Sequence, residues 1–341
     1  MSKTNENIQN DLHEHHFFEV EKNHDIIRID KFLLLRLANT TRNKIQKSII
    51  AGNVFCNSIQ VKSNYKVKPL DKISIRFEYE SYNKEIVPED IPLDIVFEDN
   101  HIVVVNKPSN MVVHPSYGHY TGTLVHALLY KYGDLKSNGD NQRPGLVHRL
   151  DKNTTGLIVI ARDQNTLTHL SSQFAERTIK RKYIALVWGD VKEEKGTITG
   201  NIGRNKKNRK VMTVFPTNDE GKHAITHYEV LERFRYVTLV SCVLETGRTH
   251  QIRVHMKHIG HPLFNDNEYG GDKILRGTTF NKYRQFVKNC FKLLPRQALH
   301  AEVLSFLHPK TNKKVTFSVS LPTDLKNVII RWRNYVMYHS D

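Results

Sequence analysis

Apolar positions along the chain group into segments whose spacing changes from helical to alternating. Between Arg28 and about Phe77, Phe32, Leu33, Leu34 and Leu37 recur as on one helix, with Asp30 available to cap it. A second helix is predicted over Arg42–Ile50, with Ile45 and Ile49 on one side and Arg42, Lys44 and Lys47 available to the other. Ala51-Gly52-Asn53 ends it in the manner of a C-cap glycine, and short strands follow at Val54–Cys56 and Lys72–Phe77. Glu78–Pro92 is charged and poor in aliphatics. Beyond it, Leu93–Phe97 and His101–Val105 flank the turn Glu98-Asp99-Asn100, the pattern of a hairpin. Leu124, Leu128 and Leu129 predict a short amphipathic helix, and Leu167, Leu170 and Phe174 predict another whose apolar stripe packs in the core. Gly156–Ala161, Ile184–Trp188, Thr226–Val230 and Val237–Leu244 read as strands, and a last, structural helix begins near Asp324. The expected division is a flexible tail at 1–24, a small domain at 25–78, a linker at 79–92, a main domain at 93–325 and a terminal helix at 326–341.

Composition narrows the class of partner. The 341 residues carry 51 Lys+Arg against 35 Asp+Glu, a net charge of +16. Such an excess suits a polyanion, whose phosphates release counterions when they are neutralised. No apolar run has the length of a membrane-spanning helix, and no signal peptide is visible. Cys56, Cys242 and Cys290 are far apart, which fits a reducing, cytoplasmic setting without disulfides or a thiolate zinc site. The dense basic cluster Arg204, Lys206, Lys207, Arg209 and Lys210 is either a solvated loop or a phosphate contact.

The candidate chemistry centres on Gly145–Gly156. Asp151 is the only acid between Asp140 and Asp163, and its neighbours in sequence are Arg143, Arg149, Lys152 and Arg162. Cations favour the ionised form of a carboxylate. The turn is bracketed by glycines and runs into a buried strand, a common placement for a catalytic group. From these residues alone a structural salt bridge fits equally well. His250 and His255 lack the spacing of the zinc-protease helix, with no carboxylate between them, so metal binding is not expected there.

The run His148-Arg149-Leu150-Asp151, followed by Thr154-Thr155-Gly156, resembles the active-site motif of the large-subunit ribosomal pseudouridine synthases, the RluA family. Asn106-Lys107-Pro108 with His114-Pro115, Arg181-Lys182-Tyr183-Ile184-Ala185, Gly247-Arg248-Thr249-His250-Gln251-Ile252-Arg253 and Arg296–Ala301 extend the likeness over most of the chain. The order Arg28-Ile29-Asp30-Lys31-Phe32-Leu33 with Arg42…Gly52-Asn53-Val54 resembles the S4 RNA-binding module. Two turns depart from the usual Gly-Asp: Leu70-Asp71 and Asn265-Asp266.

The resemblance implies an α+β fold: a mixed, mainly antiparallel pseudouridine synthase sheet flanked by helices and loops, with a small N-terminal S4-like α/β domain. It implies Asp151 as the catalytic carboxylate and Tyr183 as the platform for the uracil and a group able to move a proton. Arg253 would keep Asp151 ionised, with Arg248 as second choice, and Arg149 would fill the space the extruded base leaves. His148 and Lys107 are expected beside the substrate, His114 as a loop histidine bonded to backbone, and Arg42, Lys44 and Lys47 on the RNA face of the S4-like domain. The reaction needs no cofactor and no metal. The expected partner is 23S rRNA within the large-subunit precursor, at clustered uridines of a stem-loop at the subunit interface, and the protein is expected to act as a monomer. The alternatives are a sister synthase acting on other rRNA or tRNA uridines, a non-catalytic ribosome-assembly factor, and a glycoside or nucleoside hydrolase, which would normally pair two carboxylates.

Overall fold

The computed structural model describes residues 12–37, 42–78, 86–116, 119–133, 135, 143–206, 208, 211–216 and 220–338. The chain divides into two compact units, residues 1–85 and 86–341.

In the first unit, β1 (Leu12–Glu19), β6 (Lys72–Glu78), β3 (Val54–Cys56) and β4 (Ile59–Gln60) form one sheet in that order. A two-stranded ribbon of β2 (Ile27–Arg28) and β5 (Lys66–Val67) lies beside it in sequence with α1 (Ile29–Arg36) and α2 (Arg42–Ile50). Phe32 and Leu33 of α1 and Ile45 and Ile49 of α2 share a core with Val54, Ile73 and Ile75. The expected flexible tail reaches too far. Leu12–Glu19 is a strand paired with β6, and Val20 behind it is buried in the core. Asp30 does not cap α1, whose cap position is Arg28; it sits inside the helix and is fully buried. Its carboxylate accepts hydrogen bonds from Gln46, Arg28 and Arg42. Burial opposes its charge, yet those donors outweigh burial and hold its pKa at about 2. At the unusual Leu70-Asp71 turn, Leu70 takes the left-handed position itself at φ 66°. Asp71 ties the turn down by accepting from Lys68 N–H, the Tyr65 hydroxyl and Asn57.

Among the described residues the second unit has ten strands, a mainly antiparallel sheet as the α+β expectation had it: β7 (Ile95–Glu98), β8 (Ile102–Lys107), β9 (Thr155–Ala161), β10 (Lys180–Trp188), β11 (Lys195–Arg204), β12 (Met212–Phe215), β13 (Lys222–Arg233), β14 (Val237–Leu244), β15 (Leu299–Leu307) and β16 (Lys314–Ser318). Their order is β12-β11-β13-β14-β10-β15-β9-β8-β7, with β16 also pairing β15. Every pairing is antiparallel except β9 with β15. The helices are α3 (Leu124–Tyr132), α4 (Gln164–Ala175), α5 (Gln251–His258), α6 (Asn281–Leu293) and α7 (Thr323–Met337).

The continuous apolar runs follow from burial on both faces of the central strands. In β8 and β9, Val103, Val105, Ile158 and Ile160 enter one core, while Ile102, Val104, Leu157 and Val159 enter another with Leu167 and Leu170 of α4. In β10, Tyr183, Ala185 and Val187 face the first core, and Ile184, Leu186 and Trp188 face a third with α6 and α7. Period-two alternation therefore turns Tyr183 into the core that Ile158 and Ile160 of β9 also enter. Where β9 and β15 meet, Gly156 has φ 110°, and a Cβ there would lie 2.2 Å from the Ala301 carbonyl oxygen. Only glycine fits that approach.

Two expected boundaries move. The last residues of the proposed linker already belong to this unit, since Glu89 accepts from the Gly122 N–H at 3.0 Å and Ile91 packs on the first core. α7 begins at Thr323, and its Leu325, Val328, Ile329 and Trp332 are core residues, so no separate terminal segment starts at 326.

Candidate active site

Asp151 stands on the turn that enters β9, and that turn is held from behind by two cations. Lys107, fully buried at the end of β8, donates from Nζ to the carbonyls of Lys152 (3.0 Å), Met111 (2.9 Å) and Pro108 (2.7 Å). Arg296 donates to the Asn153 carbonyl at 3.2 Å while its other edge grips Asp324 at 2.7 and 2.9 Å. Thr154 N–H closes the turn on the Asp151 carbonyl at 3.1 Å. Burial draws the Lys107 pKa down to about 7, against the pull of Asp151. Its three carbonyl acceptors match the three N–H bonds of the ammonium form. Lys107 is thus a clamp inside the fold. It has no surface with which to touch RNA, which corrects the expectation drawn from its motif.

Arg253, the third residue of α5, is 3% exposed and reaches Asp151 Oδ2 from Nη1 at 3.2 Å. Its other nitrogens are fixed: Nε and Nη2 bind the fully buried Asp266 at 2.7 and 2.8 Å, and Nη2 also binds Glu268 at 2.5 Å. Burial works against this cation, but the hydrogen bonds and charge of Asp266, with Asp151 and Glu268, hold its pKa above the usual guanidinium value. Asn265 fits the departure from Gly-Asp because asparagine tolerates the left-handed φ of 57° found there, and its amide donates to the Leu294 carbonyl at 2.6 Å. Arg248 turns elsewhere, with Nε on the His223 carbonyl at 3.0 Å.

The start of α5 is strained. His250 takes a left-handed backbone at φ 56°, and its ring brings Nε2 to 3.8 Å from Asp151 Oδ1 and Nδ1 to 2.9 Å from the Tyr269 hydroxyl. Burial keeps His250 below the ordinary imidazole pKa, against the pull of Asp151. Gln251 braces this turn by accepting from the Thr246 hydroxyl and the Arg248 N–H and donating to the Ile225 carbonyl.

These groups open on a cavity of about 300 Å³ whose wall includes Asp151, Tyr183, Arg253, Arg149, His148 and Arg248. Tyr183 is 7% exposed, and burial raises its pKa, so its hydroxyl carries its proton at neutral pH. Arg149 is exposed at the cavity and shared with a neighbouring one of about 220 Å³, which also takes His114 and Arg143. His114 Nδ1 lies 3.0 Å from the Pro115 carbonyl. His148 lines the cavity, but its Nε2 accepts from the Val159 N–H at 3.0 Å and its ring stacks on Phe174 at 4.7 Å. Burial and Arg181 pull its pKa down to about 3. It fixes the motif onto β9 with a neutral ring.

Asp266 and Glu268 carry no signal in the sequence, since they meet Arg253 only on folding, and Gln251 meets the distant Ile225 carbonyl as well as its neighbours Thr246 and Arg248. Phe174 carries a helical apolar stripe yet reaches the cavity wall and supports His148. In the first unit, Arg42 is bound to Asp30 with its side chain 46% exposed, and Lys47 is exposed on α2. The Lys44 side chain, Lys207, Arg209 and Lys210 lie outside the described residues, and Lys206 pairs with Glu220 at 2.6 Å. Among the described residues, no group of three His, Cys, Asp or Glu stands close enough to hold a metal ion.

The family model for RNA pseudouridylate synthase matches residues 101–258, the span from β8 through α5. The chain is 46% identical to an RNA pseudouridine synthase of Chlorobaculum parvum over 92% of its own length and 97% of that protein's. It is 39% identical to the ribosomal large subunit pseudouridine synthase D of Zymomonas mobilis, over 88% and 92% of the two chains. Among solved structures, human RNA pseudouridylate synthase domain containing 1 aligns with TM-score 0.52 and 26% identity, over 70% of this chain and 89% of that one. The chain belongs to the RNA pseudouridylate synthase family. Its activity is the isomerisation of uridine in RNA to pseudouridine.

Proposed function

We propose that the substrate is large-subunit (23S) ribosomal RNA, in the manner of the D-type synthases, and that Asp151 is the carboxylate that acts on the target ribose. The observation that carries this reading is the shared cavity in which an arginine-held carboxylate and a protonated tyrosine face one another's space. Isomerisation breaks the C1′–N1 bond, forms C1′–C5, removes the proton from C5 and places one on N1. It requires no electron transfer. Asp151 meets the anomeric carbon as the base departs, either by direct attack or by drawing a ribose proton, and Arg253 holds it in place. Tyr183, in the wall of the same cavity, supports the unstacked uracil. Arg149 enters the gap in the RNA stack.

The match to relatives named as ribosomal large subunit synthases favours rRNA over tRNA. The net charge of +16 and the S4-like sequence of the first unit support an RNA-binding role for residues 25–78. The test is pseudouridine mapping of rRNA and tRNA in a deletion strain complemented by wild type or Asp151→Ala. The reading predicts 23S sites that vanish on deletion and return only with wild type. Sites confined to tRNA would contradict the substrate, and restoration by Asp151→Ala would contradict the role of Asp151.

A further inference from the structure

The cavity holds one buried cation that the chemistry just described does not use. Arg181 lies two residues before Tyr183 on β10, and both line the cavity. It is 8% exposed, and no carboxylate among the described residues comes within 4.0 Å of it. Nη2 donates to the Glu245 carbonyl at a long 3.4 Å, and Nε is fully enclosed with no partner. The guanidinium rests over the Phe174 ring, 5.4 Å from its centre. A Cβ at position 247 would lie 2.7 Å from its Nη1, so Gly247 leaves it room to face the cavity. The other buried arginines near Asp151 differ: Arg253 is matched by three carboxylates and Arg296 by Asp324.

A buried charge without a counter-ion is strongly disfavoured unless one arrives with the ligand. We infer that Arg181 receives a backbone phosphate of the RNA strand beside the target uridine. This rests on the reading of the cavity as the uridine site. A guanidinium offers a planar fork that matches a phosphate's oxygens, and a phosphate supplies the missing negative charge. A uracil carbonyl would accept a hydrogen bond and leave the charge unmatched. The residue is also placed for the task, since two residues of strand separate it from the tyrosine, roughly 6.6–6.8 Å along the backbone and within one nucleotide's reach.

The test is binding of the full-length protein to a synthetic RNA stem-loop with a single loop uridine, followed from about 50 to 200 mM salt, where phosphate contacts dominate the slope. Arg181→Gln should flatten the plot of log affinity against log salt by about 0.7–0.9, the share of one phosphate, while Arg181→Lys keeps the wild-type slope. In a second arm, a neutral methylphosphonate at one linkage flanking the uridine should weaken wild type and leave Arg181→Gln no weaker than it already is. Should Arg181→Gln fail to fold, the lysine variant and the methylphosphonate series on wild type carry the measurement. An unchanged slope, or losses that simply add at both flanking linkages, would overturn the phosphate site. Failure of wild type to make pseudouridine in any RNA would instead strike the functional reading, since binding is measured without turnover.

Discussion

Nη1 of Arg253 stands 3.2 Å from Oδ2 of Asp151, while the remaining nitrogens of the same guanidinium are locked onto Asp266 and Glu268. The arginine is therefore a rigid post, and the Asp151 carboxylate leans on it. Arg253→Ala would leave Asp266 charged, unpaired and fully buried. Loss of one partner from such a pair costs about 3–5 kcal/mol, so denaturant unfolding should show a drop of that order together with loss of turnover. Asp266→Asn should retain more stability and still impair turnover, because the fork would no longer be aimed. Wild-type stability in Arg253→Ala would contradict the arrangement.

His148 gives a pH signature. Its ring accepts from the Val159 N–H and stays neutral, with a pKa near 3 in the fold against an ordinary imidazole value when unfolded. Between those values the unfolded chain binds a proton that the folded one refuses, so stability falls as pH drops from about 6.5 toward 3, by at most about 1.4 kcal/mol per unit. His148→Gln keeps an acceptor for Val159 and removes the titration. Urea unfolding from pH 7 to 5 should thus fall more steeply for wild type than for the glutamine variant. Parallel curves would contradict the buried neutral ring.

Lys107 tests the division between anchoring and RNA contact. Lys107→Met leaves carbonyls of Pro108, Met111 and Lys152 without their donor, at about 1–3 kcal/mol for each group that stays unsatisfied. The expected outcome is lower thermal stability and slower single-turnover conversion, with RNA affinity within about twofold of wild type. A large fall in affinity with intact stability would mean that the lysine meets RNA after all.

Gly156→Ala should be poorly tolerated, because φ 110° and the Ala301 carbonyl both exclude a side chain. Strain of this kind costs about 1–3 kcal/mol, and relief by separating β9 from β15 would carry the Asp151 turn with it. Unfolding midpoint and turnover should fall together. An alanine variant with wild-type midpoint would contradict the close approach.

What could be read in advance was whatever depended on residue type at short spacing. Continuous apolar runs placed β8, β9, β10 and β14, and the motif segments drew attention to Asp151, Tyr183, Arg149 and Arg253, which the structure brings to one cavity. Long-range pairing was not legible. Asp266 looks like an ordinary turn acid until folding lays it against Arg253, and Lys107 looks like a surface lysine until three carbonyls converge on it. Phe174 carries the period of a core stripe, which conceals that its ring also supports a cavity wall. The strand at Leu12–Glu19 was legible only at its end, where Phe17, Phe18 and Val20 suggest a short strand, because the histidines and acids before them mask the pattern.

The most direct test of the central role given to Asp151 is single-turnover conversion of a mapped 23S stem-loop by purified Asp151→Asn beside wild type, with RNA binding and unfolding midpoint measured on the same samples. The account predicts that the asparagine protein folds and binds the RNA as wild type does and forms no pseudouridine. Conversion by Asp151→Asn at the wild-type rate would contradict it.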